Sequence, residues 1–320
     1  MVVQLVQRST PSRHFSRWRA WLAGTLTTAV LGLSALPALA GDPFRPNNPH
    51  DIGDATEATF KTLFYEGNYT AAKELANQAM AAEPGEPMNY AIAAALEYLD
   101  QDLSALLEQA QRTQEVAAAL KETDPLRGHL YSAVGIFMEG AHVIQSQGLA
   151  RGTPTVLRML QQVFRELAAA EQISPNDPEL SLLKGFMDLL LAVNLPFANP
   201  DQAISRLRQG YPPYLAHRGV AIGLRDLYLR APQRYDTALD EALDEADQAL
   251  AAAPNNPDLL YLKAQILFLQ QDYQGSLPYY ADALTYADQL PDATVRQIRF
   301  EECRAQGNEP EACATRAGLN

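Results

Sequence analysis

The 320-residue chain is poor in the residues that carry most chemistry, with two cysteines and five histidines. His50, His129, His142 and His217 lie beyond the first 40 residues, and none has a second histidine three or four positions away. There is no H-E-x-x-H, G-x-S-x-G, C-x-x-C or glycine-rich phosphate loop, so the familiar signatures of zinc hydrolysis, triad chemistry, thiol exchange and nucleotide binding are missing. No cofactor is implied, and no metal. The chain also lacks runs of alternating apolar and polar residues, which argues against a half-buried sheet. Positive charge is scarce, with 25 Lys and Arg against 38 Asp and Glu. Four of those basic residues precede residue 41, leaving 21 against 38, a balance of −17. Such a surface repels nucleic acid and anionic membranes.

The first 40 residues are a different material. Arg8, Arg13, Arg17 and Arg19 come without an acid among them, followed by the apolar run WLAGTLTTAVLGLSALPALA, which ends in Ala38-Leu39-Ala40. A basic stretch, an apolar stretch and a small-residue A-x-A end describe a secretory leader cleaved after Ala40. The alternative is an uncleaved anchor, since the run is long enough to span a bilayer. The arginines are not adjacent and no cysteine follows the apolar run, which disfavours a twin-arginine route and a lipid anchor. After Ala40 the most apolar stretch, Leu180 to Leu195, carries Lys184 and Asp188 and reads as a buried helix. No stable membrane insertion is expected once the leader is gone. In an exported chain Cys303 and Cys313 are expected to form a disulfide around a short loop.

Residues 41–53, GDPFRPNNPHDIG, read as an extended segment; residues 54–306 read as helix punctuated by Pro, Gly and Asn; residues 307–320 read as a C-terminal tail. In the stretch from Ala253 to Leu284, Asn256 is placed to cap a helix beginning at Pro257, where a missing N–H costs nothing. Leu259, Leu262, Ile266 and Leu269 form one apolar face at helical spacing. Asp272 caps a second helix with Tyr273, Leu277, Tyr280 and Leu284 on its face, and the short turn between makes the pair an antiparallel hairpin. Pro278 is expected to bend or delay that second helix. Pro175-Asn176-Asp177-Pro178 repeats Pro254-Asn255-Asn256-Pro257, and Gly67-Asn68-Tyr69 repeats Gln271-Asp272-Tyr273.

These units resemble the tetratricopeptide repeat (TPR), a 34-residue helix hairpin with small residues where its helices cross. Ala72, Ala79, Ser276 and Ala283 stand at those points on second helices, and Ala94, Gly185 and Ala264 on first helices. Pro84, Pro175 and Pro254 match the family's helix-ending proline, and Tyr69 and Tyr273 its aromatic. The match is strong over 253–287, good over 55–100 and partial over 165–195. The three prolines are 91 and 79 residues apart, neither a multiple of the repeat length, so further helices must intervene, expected near 126–147, 154–173, 213–230 and 233–252. Isolated hairpins cannot bury their faces, so the intervening helices belong to the same stack. The implied fold is all-α, an irregular TPR-like solenoid. The leader together with such an array resembles exported cyanobacterial proteins of poorly defined function, which implies the periplasm or the thylakoid lumen.

The resemblance implies a concave groove lined by first helices, and therefore a scaffold that binds another protein or a peptide, without catalysis. Its lining would include Met88, Ala91, Ala95, Tyr98 and Leu99; Glu179, Leu182, Phe186, Leu189 and Leu190; and Asp258, Tyr261, Gln265, Phe268 and Leu269. Lys, Arg and Asn are absent from these points, so a clamp for a terminal carboxylate is not expected, and an amphipathic or apolar segment suits the lining. Burial under neighbouring helices is the competing reading, favoured for Leu189 and Leu190. Phe197, Tyr211 and Tyr214 interrupt the repeat rhythm, either as binding loops or as packed connections. Asp236, Asp240, Glu241, Asp244, Glu245 and Asp247 read as a solvated helix face, the alternative being a cation site or a dock for a basic partner. A carrier of a small apolar ligand, or a hydrolase with two facing carboxylates of raised pKa, are the rival functions.

Overall fold

The structure is a computed structural model that describes residues 41–194 and 199–319. The leader and Phe197 lie outside the described residues. Every regular element among the described residues is helical. α1 (Asp54–Phe60) continues into a π-turn at Lys61–Tyr65 and pairs with α2 (Tyr69–Ala82). α3 (Pro87–Asp100) pairs with α4 (Leu103–Leu120), and α5 (Pro125–Ile173) is broken at Gly148. α6 (Pro178–Asn194) pairs with α7 (Pro200–Leu207), α8 (Pro213–Arg230) with α9 (Ala238–Ala252), α10 (Pro257–Leu269) with α11 (Tyr273–Leu284), and α12 (Asp292–Ala305) with α13 (Pro310–Ala317). First helices also touch first helices, α1 to α3, α3 to α5, α6 to α8, α8 to α10 and α10 to α12, as a solenoid requires.

One local device makes several of the turns. A residue in the left-handed region closes the first helix, and Asn or Asp then caps the second. Gly67 (φ 70°) precedes Asn68, Gln101 (φ 62°) precedes Asp102, and Gln271 (φ 65°) precedes Asp272. The three caps accept from the N–H groups of Ala71, Ala105 and Gly275 respectively. The Asp102 and Asp272 N–H groups reach five residues back, to Glu97 and Leu267, whereas Asn68 reaches six back to Thr62, because the π-turn adds a residue. Gly67 is fixed a second way: a Cβ there would stand 2.7 Å from Pro257 Cδ.

α5 is itself a hairpin. Gly148 (φ 75°, ψ 163°) reverses the chain, and 125–147 runs back along 149–173. His129 Nδ1 meets Glu166 at 2.7 Å, and a Cβ on Gly152 would lie 3.2 Å from the Val143 carbonyl oxygen, which fixes an antiparallel register. The helix expected near 154–173 therefore starts directly after Gly148, and Pro154 sits inside that second arm. Two further expectations need correcting. Pro278 does not delay α11, which begins at Tyr273, directly after its Asp272 cap. The segment 307–320 contains α13, tied to α12 by the Cys303–Cys313 disulfide, with Cα atoms 5.5 Å apart.

The crossing positions are closed as their small residues demand. Ala72, Ala79, Ala94, Ala264, Ser276 and Ala283 are all fully buried. The main core runs from Phe44, Ile52 and Phe60 through Leu182 and Leu207 to Leu259 and Ile266, so residues 41–65 are part of the interior. Satellite cores seal the α5 hairpin against α6 and the last two hairpins against each other. No helix among the described residues is long and apolar enough to cross a membrane.

Candidate functional site

The extended segment 41–53 packs against the starts of α5 and α6 and is held by charge. Arg45 donates to Asp177 at 2.6 and 2.7 Å, to Glu179 at 2.8 Å and to Asp42 at 2.8 Å. Glu179 also accepts from Arg127 at 3.3 Å and from the Tyr131 hydroxyl at 2.7 Å, while Arg127 donates twice to Glu86 at 2.8 Å. All of these side chains are buried. Burial on its own would lower the Arg45 and Arg127 pKa values, but Glu179 and the other carboxylates outweigh it and hold both well above the ordinary arginine range. Burial and Glu179 together push the Tyr131 hydroxyl up, so it remains a donor. The sequence reading missed this network. Its visible trace is the pair of acids in Pro175-Asn176-Asp177-Pro178-Glu179, where Asp177 caps α6 through the Leu180 N–H.

The first hairpin reaches as far as the sixth. Asn256 Nδ2 donates to the carbonyls of Phe64 and Tyr65 at 3.0 and 3.1 Å, and the Tyr69 hydroxyl donates to Asp258 at 2.5 Å. The N–H groups of Tyr69 and Thr70 both reach the Gln289 carbonyl. Tyr65 stacks edge-on against Tyr214.

These contacts close much of the expected groove. Met88, Glu179 and Leu182 are buried and do not face an open channel; Arg45 of the N-terminal segment covers Glu179, and Leu182 lies against the Gly210 turn. Asp258 is engaged by Tyr69, and Gln265 donates to Glu301 of α12 at 3.1 Å and accepts from Arg225 at 2.5 Å. Tyr261, Phe186 and Phe268 are half-buried, with Tyr261 against the Tyr280 ring and Phe268 against Tyr273. Burial, then Glu301, raises the Tyr261 pKa far above the phenol range, so it stays neutral. Leu189 is buried as expected, but Leu190 is exposed. Tyr214 packs down, whereas Tyr211 lines a cleft of about 1170 Å³ between the loop 46–51 and the starts of α5, α6 and α8.

Tyr98 remains open. It forms one wall of a different concavity of about 470 Å³, between the two arms of α5 and the end of α6. Ile136, Phe137, Ile144, Val156 and Leu157 line it with Leu190, and Leu157 is 52% exposed. Sequence patterning could not place this groove, because it depends on the α5 chain reversal at Gly148.

The acidic helix α9 is only partly a solvated face. Glu245 is buried against His217 at 2.6 Å and Arg208 at 3.2 Å, and Asp247 holds Lys263 at 2.5 Å, while Asp236, Asp240 and Asp244 are exposed. His50, His129 and His217 each pair with a carboxylate, Asp124, Glu166 and Glu245. No cluster among the described residues has the makings of a metal site. The Asp188 carboxyl is held above its ordinary range, by burial that Arg206 only partly offsets. Glu171, which shares Arg206 with it, is instead lowered, first by Lys184.

No family model and no curated protein matches this sequence. Among solved structures the chain is similar to a thermophilic TPR protein of Thermus thermophilus, with 24% identity over 67% of this chain and 98% of that one, at a TM-score of 0.43. It is similar to the C-terminal part of a TPR repeat-containing protein of Cytophaga hutchinsonii, with 15% identity over 83% and 95% and a TM-score of 0.38. A third is the TPR2AB domain of yeast Sti1 in a pHSP90 complex, with 15% identity over 79% and 98% and a TM-score of 0.30. The helix pairing described above makes the described chain an all-α solenoid of antiparallel hairpins.

Proposed function

We propose that this chain is an exported helical-repeat scaffold that binds a partner protein through the apolar groove of the α5 hairpin, serving assembly or maintenance without catalysis. Its compartment is the periplasm or the thylakoid lumen, on the strength of the leader. The observation that carries the reading is the clustering of exposed apolar side chains: Tyr98, Leu157 and Leu190 border one concavity instead of lying scattered. An apolar helix or extended segment of a partner could lay two or three side chains into it, as helix-in-groove recognition does. The acidic balance of the chain favours a partner segment flanked by basic residues.

The test is site-specific photo-crosslinking in the native compartment, with the reactive group at position 157 and, as a control, at position 261. A defined adduct from 157, lost in Tyr98→Ser and absent from 261, supports the groove. An adduct from 261 alone returns the site to the inner helices. A small apolar molecule co-purifying with the protein, and lost in the same variant, would make the groove a carrier site instead.

A further inference from the structure

The leader reading sets Gly41 as the first residue of the processed chain, and the structure gives that residue a partner. The Gly41 nitrogen donates to Glu57 Oε2 at 2.9 Å. Both residues are half-buried. The contact is not a loose end meeting a surface acid, because the next residue is pinned. The Asp42 side chain is out of solvent and accepts from the Phe44 N–H at 2.8 Å, the His50 N–H at 3.0 Å and Arg45 at 2.8 Å. With Asp42 fixed, the nitrogen one residue earlier has little room to leave Glu57. Glu57 forms no ion pair with any Lys, Arg or His among the described residues, and neither does Glu83, whose carboxylate is taken by the N–H groups of Ala55 and Thr56. Among the described residues, Glu57 thus has a hydrogen-bond donor and no ion-pair partner.

We infer that the terminus released after Ala40 is itself a structural group: the α-ammonium of Gly41 forms an ion pair with Glu57 that exists in the processed chain and not in the precursor. The step is hydrolysis by a peptidase of the export route. One water adds across the Ala40–Gly41 amide, Ala40 leaves as a carboxylate, and the Gly41 amine takes up a proton. A neutral amide donor becomes a charged one at the same atom, and a charged donor makes the stronger bond to a carboxylate. Processing then does more than remove a leader, since it supplies the cation that Glu57 otherwise lacks. The inference rests on the leader reading, and the experiment separates the two.

The mass of the chain recovered from its native compartment is measured first. Thermal unfolding is then compared for chains that begin at Gly41 or retain Ala40, each with Glu57 and with Glu57→Gln. Glutamine keeps the acceptor and removes the charge. The expected result is a chain that begins at Gly41, with retention of Ala40 lowering the midpoint by ~1–3 °C in the Glu57 background, as befits a partly exposed ion pair in a domain of this size, and leaving the Glu57→Gln background unchanged. The difference should shrink in high salt. Equal losses in both backgrounds overturn the ion pair and leave the leader reading intact. A recovered chain that begins at any other residue overturns the leader reading and this inference together.

Discussion

Arg45 and Glu179 are 134 positions apart in sequence and meet at 2.8 Å with both side chains buried. The contact ties the segment before the first helix to the start of α6, and the same guanidinium also serves Asp177 and Asp42. Replacing Arg45 by Met would leave these carboxylates in the interior with only Arg127 nearby. Breaking a buried pair from one side costs about 3–5 kcal/mol. A fall of that size in unfolding free energy, from chemical denaturation, is expected for Arg45→Met, and a much smaller one for Arg112→Met, whose pair with Glu115 lies in solvent.

Acid should loosen the same segment. Burial would raise the Asp42 carboxyl, but Arg45 and the N–H groups of His50 and Phe44 outweigh it and leave it below the ordinary range. Asp124 is likewise lowered, its burial outweighed by His50 and the Arg127 N–H. A carboxylate lowered by folding adds stability that is complete above its unfolded value, about 3.9, and disappears as pH falls through its lower folded value. The stability gap between the parent and Asp42→Asn is therefore expected to be constant above about pH 5 and to close below about pH 4. A denaturation series across that range measures it.

Gly185→Ala is expected to destabilise the α6–α7 hairpin. The added Cβ would stand 2.8 Å from Leu207 Cγ and 3.1 Å from its backbone nitrogen, so a side-chain rotation alone cannot clear it. Overpacking of this kind costs about 1–3 kcal/mol. Gly85→Ala, with no atom within 4 Å of its Cβ, serves as the control. Thermal midpoints of the two variants should separate accordingly.

Reducing the Cys303–Cys313 disulfide, or replacing both cysteines by Ser, is expected to cost about 2–3 kcal/mol for a loop this short in the chain-entropy view. The loss should be local. Limited proteolysis should release the end of the chain near α13 before the earlier hairpins are cut.

Helix identity was legible wherever a cap and a face coincided, as at Asn256-Pro257 and Asp272, because both signals are local. The small crossing residues were legible for the same reason. The α3–α4 turn was not recognised, although Gln101-Asp102 repeats the Gln271-Asp272 device, since no aromatic follows it to strengthen the likeness. The groove residues Glu179, Leu182 and Asp258 were placed on the correct helices, yet their surroundings were misjudged. Arg45 covers Glu179, Tyr69 covers Asp258 and the Gly210 turn lies against Leu182, and hydrophobic periodicity within α6 or α10 carries no information about segments so distant in sequence. Arg45 stands between Phe44 and Pro46 in a segment with no helical pattern, and only the folded array shows why its charge is needed.

An open stack of hairpins behaves as a spring: it can stretch, and it can begin folding at either end. The contacts of Asn256 with Phe64 and Tyr65, and of Tyr69 and Thr70 with Gln289, clasp the first hairpin to the sixth. A clasped stack has little elastic give. It also imposes an order of events. A chain emerging N-terminus first, from a ribosome or across a membrane, presents residues 64–70 long before residues 256–289 exist to receive them. The first hairpin must wait through nearly the whole length of the chain, and the finished shape is set by the last hairpins to arrive.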